Sequence, residues 1–147
     1  MMKKVCALFD ELMVGEDNAG KALLAIRIAV GVFFVVHGYQ KFFVIGLDGF
    51  SEMIAGPMMG WPIPMVFAFL VAFAELFGGL ALILGFLTRF SAFWLSIIVL
   101  VAWVQVKGLN IGEKGDLDLL ALGMTVALFI AGPGALSLSA KMKKGGM

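Results

Sequence analysis

Four long apolar stretches alternate along the chain with short segments rich in glycine, proline and charged residues. The stretches cover residues 22–45, 64–87, 90–106 and 117–135. A helix needs about 17–25 mainly apolar residues to cross a bilayer, and each stretch has that length. The stretches are continuous and lack the strict alternation of barrel strands, which favours helices. The pattern predicts an all-α fold, an integral membrane four-helix bundle with short loops over residues 21–140.

The segment before the first stretch, residues 1–20, has a different pattern. Its apolar positions recur at helical spacing on one face and are Val5, Leu8, Phe9, Leu12 and Met13. Asp10 interrupts the run too early for the apolar core of a signal peptide. We expect a short amphipathic helix in the membrane interface, with a frayed tail as the alternative.

Lysine and arginine are distributed unequally between the two ends of the predicted helices. Seven lie at the end that carries both termini, including the basic tail 141–147, and three lie at the other end. Because positively charged residues are retained on the cytoplasmic side, both termini are predicted to be cytoplasmic. We expect a multi-pass protein of a bacterial-type inner (plasma) membrane.

The composition agrees with a membrane protein and excludes several kinds of site. Hydrophobic residues make up 62% of the chain, against about 45–50% in soluble domains, so the lipid bilayer must cover most of the apolar surface. The net charge of +1 argues against a nucleic-acid partner. One cysteine, Cys6, and one histidine, His37, leave no pair for a disulfide, a thiolate cluster or bis-histidine haem. We therefore expect no metal site and no cofactor ligated within the chain.

Ionisable residues at membrane depth indicate function best, because each costs about 2.5–3.5 kcal/mol at a helix centre. Glu75 lies near the middle of the second stretch and must be either protonated or paired with a cation. Arg27 and Lys41 of the first stretch are the candidate partners. They lie on one helical stripe that we expect to face the bundle interior. The stripe also contains Gly31, Phe34 and Gly38.

These residues predict a polar pocket that is open toward the outer face. Its candidate catalytic residues are Glu75, which would handle protons at the floor of the pocket, and Lys41. Six further residues are candidate binding residues, namely Arg27, His37, Gln40, Gln105, Glu113 and Asp116. Of these, Arg27 lies apart, nearer the inner end of its helix.

A structural interpretation is open for each of these groups. Paired with either cation, Glu75 would clamp two helices together. His37 alone is more typical of a satisfied hydrogen bond in a core than of a ligand. Lys41, Lys107 and Lys114 would snorkel to the interface. Asp116 and Asp118 would complement the N-terminus of a helix.

Several segments resemble the DoxX family of small membrane proteins. In the first stretch they are RIAVG at 27–31 and HGYQKF at 37–42, and in the second ELFGG at 75–79 and LGFLTR at 84–89. NIGEKG at 110–115 and GPGALSLS at 132–139 fit as well. The resemblance covers nearly the whole chain from Arg27 to Ser139, although family members usually carry aspartate where Ser139 stands.

The resemblance implies a four-helix membrane domain. Some relatives are named as small subunits of quinone-linked oxidoreductases, including thiosulfate:quinone oxidoreductase, and others are associated with thiol or oxidative-stress systems. The resemblance assigns no catalytic role to the residues at family-like positions, which are Arg27, His37, Lys41, Glu75, Arg89, Glu113 and Lys114.

Three functions are compatible with these observations. The first is a membrane subunit of an electron-transfer assembly, an accessory subunit rather than a stand-alone enzyme, whose pocket binds a quinone and whose partner is a redox protein. The second is a non-catalytic membrane anchor or assembly protein. The third is a small transporter or proton path built as a homo-oligomer, for which the sequence offers no broken helix or inverted repeat.

Overall fold

The computed structural model describes residues 16–56, 60–109, 112 and 115–145, and every regular element in that part of the chain is helical. The elements are α1 Glu16–Tyr39, which continues into a π-helical turn Gln40–Val44, α2 Gly46–Ala55, α3 Pro64–Leu84, α4 Thr88–Gln105, α5 Asp116–Ala131 and α6 Leu138–Gly145. The predicted all-α class is confirmed. The apolar positions of the predicted N-terminal amphipathic helix lie outside the described residues.

Within the described part, three helical segments are long and apolar enough to cross a bilayer, which makes the chain a membrane protein. They are Asn18–Val44, Pro64–Leu84 and Thr88–Gln105. The helix of the fourth apolar stretch is α5, which has only 16 residues. Its length is about 24 Å at 1.5 Å per residue, whereas the hydrocarbon layer is about 30 Å thick. It ends at Ala131 because Gly132 adopts a φ of 83° and Pro133 follows. The apolar stretch predicted to reach residue 135 is therefore helical over a shorter length.

The bundle is built from two closely packed helix pairs. Helix α1 packs mainly on α3, and α4 packs mainly on α5. The pairs are joined by a tight turn between α3 and α4, where Gly85 has a φ of 71° and Phe86 N–H donates to Ala81 C=O at 2.9 Å. The core between the pairs consists of Val30, Phe34, Leu82, Ala92, Leu95, Val99, Ala121 and Leu128.

Glycines let the backbones of α1 and α3 touch. A Cβ atom at Gly38 would lie 2.5 Å from Leu76 N, and one at Gly79 would lie 2.7 Å from Gly31 O. Such small-residue contacts are a common basis of helix packing in membranes, because lipid offers helices no hydrophobic driving force to associate. The buried positions of Gly31 and Gly38 confirm that the predicted stripe of α1 faces inward.

We expect Gly38→Ala to lower the free energy of unfolding by about 1–3 kcal/mol, the usual cost of overpacking, because its methyl group would press on rigid backbone. This loss opposes the gain of up to about 1 kcal/mol that alanine brings to a helix. Gly123→Ala on α5 is the matched control, since a Cβ there meets nothing within 4 Å. Thermal unfolding in detergent measures both variants, and equal midpoints would contradict the close contact.

Candidate functional site

A cavity of about 620 Å³ lies between the α1–α3 pair and α4, at the end of the bundle where α2 is found. Its wall is mostly apolar and aromatic, with residues from α1, α2, α3 and α4. Among the residues that the structure describes, five charged or imidazole side chains line it, namely His37, Lys41, Glu75, Lys107 and Asp118. Pockets of about 300–1,000 Å³ with few polar groups are typical of small-molecule sites.

Lys41 and Glu75 form an ion pair in this cavity. Lys41 Nζ donates a hydrogen bond to Glu75 Oε2, and the two side chains are only 15% and 7% exposed. Lys41 lies in the π-helical turn, in which Ile45 N–H donates to Gln40 C=O at 2.8 Å. Such turns are frequent at functional sites. Lys41 Nζ also lies 5.1 Å from the ring centroid of Phe50, which adds a cation–π contact from α2.

His37 is one turn from Lys41 on α1. Its Nδ1 atom is 2.8 Å from Phe33 O, and its ring centroid is 4.2 Å from that of Phe33. A carbonyl oxygen can only accept, so Nδ1 carries a hydrogen, and in the neutral form of the ring Nε2 is an acceptor. The His37 side chain therefore makes a satisfied hydrogen bond, as in the structural interpretation of the sequence. It also lines the cavity.

Lys107 and Asp118 form a second ion pair in the same cavity. Lys107 Nζ lies 2.5 Å from Asp118 Oδ2, and the side chains are 28% and 10% exposed. The list of candidate site residues from the sequence did not include this pair. Asp118 shares the buried face of α5 with Ala121, Thr125 and Leu128, whereas Asp116 points elsewhere. The sequence does not show which face of α5 is buried, so it did not distinguish the two aspartates.

Three other predicted residues at this end, Gln40, Gln105 and Asp116, do not line the cavity. Gln40 and Gln105 are exposed. Asp116 is exposed as well, and its Oδ1 atom accepts a hydrogen bond from Gly112 N at 2.6 Å, in the loop before α5. Glu113 lies outside the described residues. The structure thus brings together only part of the predicted outer group.

Arg27 belongs to a separate site at the opposite end of α1. It is 1% exposed, and its guanidinium donates to Pro133 O at 2.5 Å and to Leu136 O at 2.7 Å. Its Nε atom has no hydrogen-bond partner among the residues that the structure describes. Of the two cations considered for Glu75, Lys41 is the partner, and Arg27 instead holds the segment that follows α5.

The same segment folds back on the turn between α3 and α4. Ser139 Oγ donates to Gly85 O at 2.8 Å, and a Cβ at Gly85 would lie 2.6 Å from Ser137 Cβ. Arg89 adds an exposed bond of 3.2 Å to Ile130 O. The two segments LGFLTR and GPGALSLS, which are far apart in the sequence, therefore meet in one junction.

No group of three or more histidine, cysteine or acidic side chains suited to a metal ion occurs in residues 16–56, 60–109, 112 and 115–145. The cavity itself holds two cations, Lys41 and Lys107, and two carboxylates, Glu75 and Asp118. It can therefore offer charged hydrogen-bond donors, acceptors and a proton carrier inside an apolar wall.

Similar proteins occur in several bacteria. A Haemophilus influenzae protein is 31% identical over 131 residues, which cover 83% of this chain and 91% of that protein. The Bacillus subtilis protein named "Putative oxidoreductase CatD" is 30% identical over 124 residues, with 83% and 87% covered. "Inner membrane protein YphA" of Escherichia coli is 30% identical over 131 residues, with 79% and 86% covered. No solved structure matches the chain significantly.

The family model named DoxX matches residues 22–108. This range contains most of α1 and all of α2, α3 and α4. It includes Lys41, Glu75 and Lys107, whereas Asp118 lies beyond it. The match agrees with the resemblance carried by the segments around Arg27 and Glu75. The chain is a member of the DoxX family of membrane proteins.

Proposed function

We propose that this protein is the membrane subunit of a quinone-linked electron-transfer assembly, and that its cavity binds the head group of a quinone or a similar lipophilic molecule. The observation that carries the proposal is the buried Lys41–Glu75 ion pair beside His37, in an otherwise apolar cavity of about 620 Å³. A pocket of that volume accommodates a substituted ring. The name of the Bacillus subtilis relative, an oxidoreductase, supports the same class of function.

The cavity residues suit the proton side of quinone chemistry. Reduction of a quinone to a quinol takes up two electrons and two protons. Lys41 would donate a hydrogen bond to a carbonyl oxygen, Glu75 would deliver or accept a proton, and the Nε2 atom of His37 would accept from a quinol hydroxyl. Because the chain has a single histidine and a single cysteine, we assign the electrons to a partner redox protein.

The proposed topology is four crossings with both termini in the cytoplasm of a bacterial cell. Helix α5 would complete the fourth crossing together with the folded-back segment 132–137. The distribution of seven lysines and arginines against three supports the orientation. The name of the Escherichia coli relative, an inner membrane protein, supports the membrane. The cavity would then lie in the outer half of the bilayer.

A non-catalytic assembly role is the second candidate, and the same ion pair favours it. Lys41 and Glu75 satisfy each other and connect α1 to α3, which is what a purely structural clamp would do. The two roles differ in whether the cavity holds a ligand.

The test is mass spectrometry of the protein purified gently from its native membrane, covering the co-purified chains and the organic-solvent extract. We expect a near-stoichiometric quinone together with a redox partner. Partner chains without a bound small molecule would favour the assembly role. A protein that is both alone and empty would contradict both roles.

A further inference from the structure

We infer that the ligand enters the cavity sideways from the bilayer, through a gap between α3 and α4, and that it carries a hydrocarbon tail which stays in this gap. The inference rests on the proposed function, because it assumes that the cavity takes a ligand. It adds the route of entry and narrows the ligand to a tailed, lipid-soluble molecule.

Helices α3 and α4 are in close contact in the half that carries their connecting turn. A Cβ at Gly78 would lie 3.2 Å from a methyl group of Leu95, so the two helices touch at this level. Beyond it, toward α2, both helices contribute to the cavity wall, with Ala74 on α3 and Ala102 on α4. The space between the helices there belongs to the cavity.

The side chains along this gap line the cavity and are also exposed at the surface of the protein. Leu70 and Phe73 of α3 and Trp94 and Ile97 of α4 all line the cavity and are 38–53% exposed. They lie in two of the segments that can span a membrane, so their exposed sides face hydrocarbon. Elsewhere in the wall, Phe34 of α1 and Ile54 of α2 are almost completely buried, whereas Met53 of α2 and Val106 after α4 are 55% and 37% exposed.

The depth of Glu75, at the floor of the cavity, also favours entry from the bilayer. Glu75 lies about 16 Å along α3 from its first residue, at 1.5 Å per residue, which is near mid-membrane. Phe50 and Ile54 of α2 and Trp61 also line the cavity, and in the proposed topology they lie at its end toward water. A water-soluble ligand would have to pass this apolar cover, whereas the head group of a tailed ligand already lies within the bilayer.

The probes are two benzoquinones with the same dimethoxy-methyl head group, one with a decyl tail and one without. They are added to the full chain in phospholipid nanodiscs, and concentrations are corrected for partition into the lipid. Because Trp61 and Trp94 line the cavity, the saturable part of tryptophan quenching reports binding, and stopped-flow mixing reports its rate. We expect the tailed probe to bind at least about tenfold more tightly.

The gap is narrowed by the double variant Leu70→Phe/Ile97→Phe. Its matched control is Leu80→Phe/Leu100→Phe, on the same two helices, since both leucines are exposed and neither lines the cavity. We expect the association rate of the tailed probe to fall about tenfold in the gap variant, and not in the control. Thermal unfolding shows whether both double variants are folded. If the gap variant is unstable, the single variant Phe73→Trp is used to narrow the gap in its place.

The outcomes separate this inference from the proposed function. Equal binding of the two probes, with unchanged rates in both gap variants, would overturn the lateral route and leave the quinone site standing. No saturable binding of either probe would overturn the proposed function and the inference with it.

Discussion

A Glu75→Gln variant is expected to lower the quinone-dependent electron-transfer rate of the native membrane about a hundredfold or more, because positioned acid–base groups contribute about 10²–10⁴-fold. Glutamine keeps the shape of the side chain and one acceptor oxygen for Lys41, but it cannot carry a proton. The rate is measured per assembled complex, so that lost assembly is not mistaken for lost chemistry. Glu52→Gln on the exposed side of α2 is the matched control and should retain full activity.

The double variant Lys41→Met/Glu75→Leu distinguishes a catalytic role of the ion pair from a purely structural role. Removing one member of a buried ion pair leaves the other uncompensated and costs about 3–5 kcal/mol, whereas replacing both by apolar residues is often neutral. We therefore expect Lys41→Met alone to be unstable and the double variant to be stable but inactive. A stable double variant with normal quinone-dependent activity would show that the pair is only structural.

An Arg27→Leu variant is expected to lose about 3–6 kcal/mol of stability, since the two charge-assisted hydrogen bonds of the buried guanidinium to Pro133 O and Leu136 O disappear at about 1.5–3 kcal/mol each. The segment after α5 would also become accessible, because Arg27 holds it at Pro133 and Leu136. Thermal unfolding in detergent gives the first effect, and limited proteolysis of residues 132–145 gives the second.

The matched control for this change is Arg89→Leu. Arg89 is exposed and makes a longer bond of 3.2 Å to Ile130 O, so its loss should cost less than about 1 kcal/mol. If the two arginine variants unfold at the same temperature, the buried guanidinium does not hold the junction. Arg27→Lys would retain the charge but not the fork of donors that reaches both carbonyls, and should recover only part of the loss.

The membrane class and the helical character of the chain were predictable because they depend on local properties. Three long apolar stretches coincide with helices that are long enough to cross a bilayer, since in hydrocarbon the backbone must satisfy its own hydrogen bonds. The fourth stretch was predicted too long. Apolarity continues past Ala131, but Gly132 and Pro133 end the helix there.

The candidate site was predictable in part, for a similar reason. Helical periodicity alone placed Gly31, Phe34 and Gly38 on the inward face of α1, and the structure buries them. The cost of charge in a membrane selected Glu75 and Lys41, which the structure pairs.

Helical periodicity did not determine at which level of the bundle each charged residue lies, or which residue it pairs with. Arg27 and Lys41 lie about 21 Å apart along α1 and the π-helical turn that continues it. Glu75 can reach only the cation at its own level. That level follows from the glycine contacts that set α1 against α3. The rotation of α5 likewise selects Asp118 rather than Asp116 for the cavity.

The sequence by itself therefore determined that this protein lies in a membrane, that it is helical, and which face of its first helix turns inward. These properties follow from composition and spacing along one segment. The tertiary structure alone decided that Lys41 pairs with Glu75, that Lys107 and Asp118 join the cavity, and that Arg27 holds the chain after α5. Such contacts depend on how far each helix slides and turns against its neighbour, which close packing of the backbones sets.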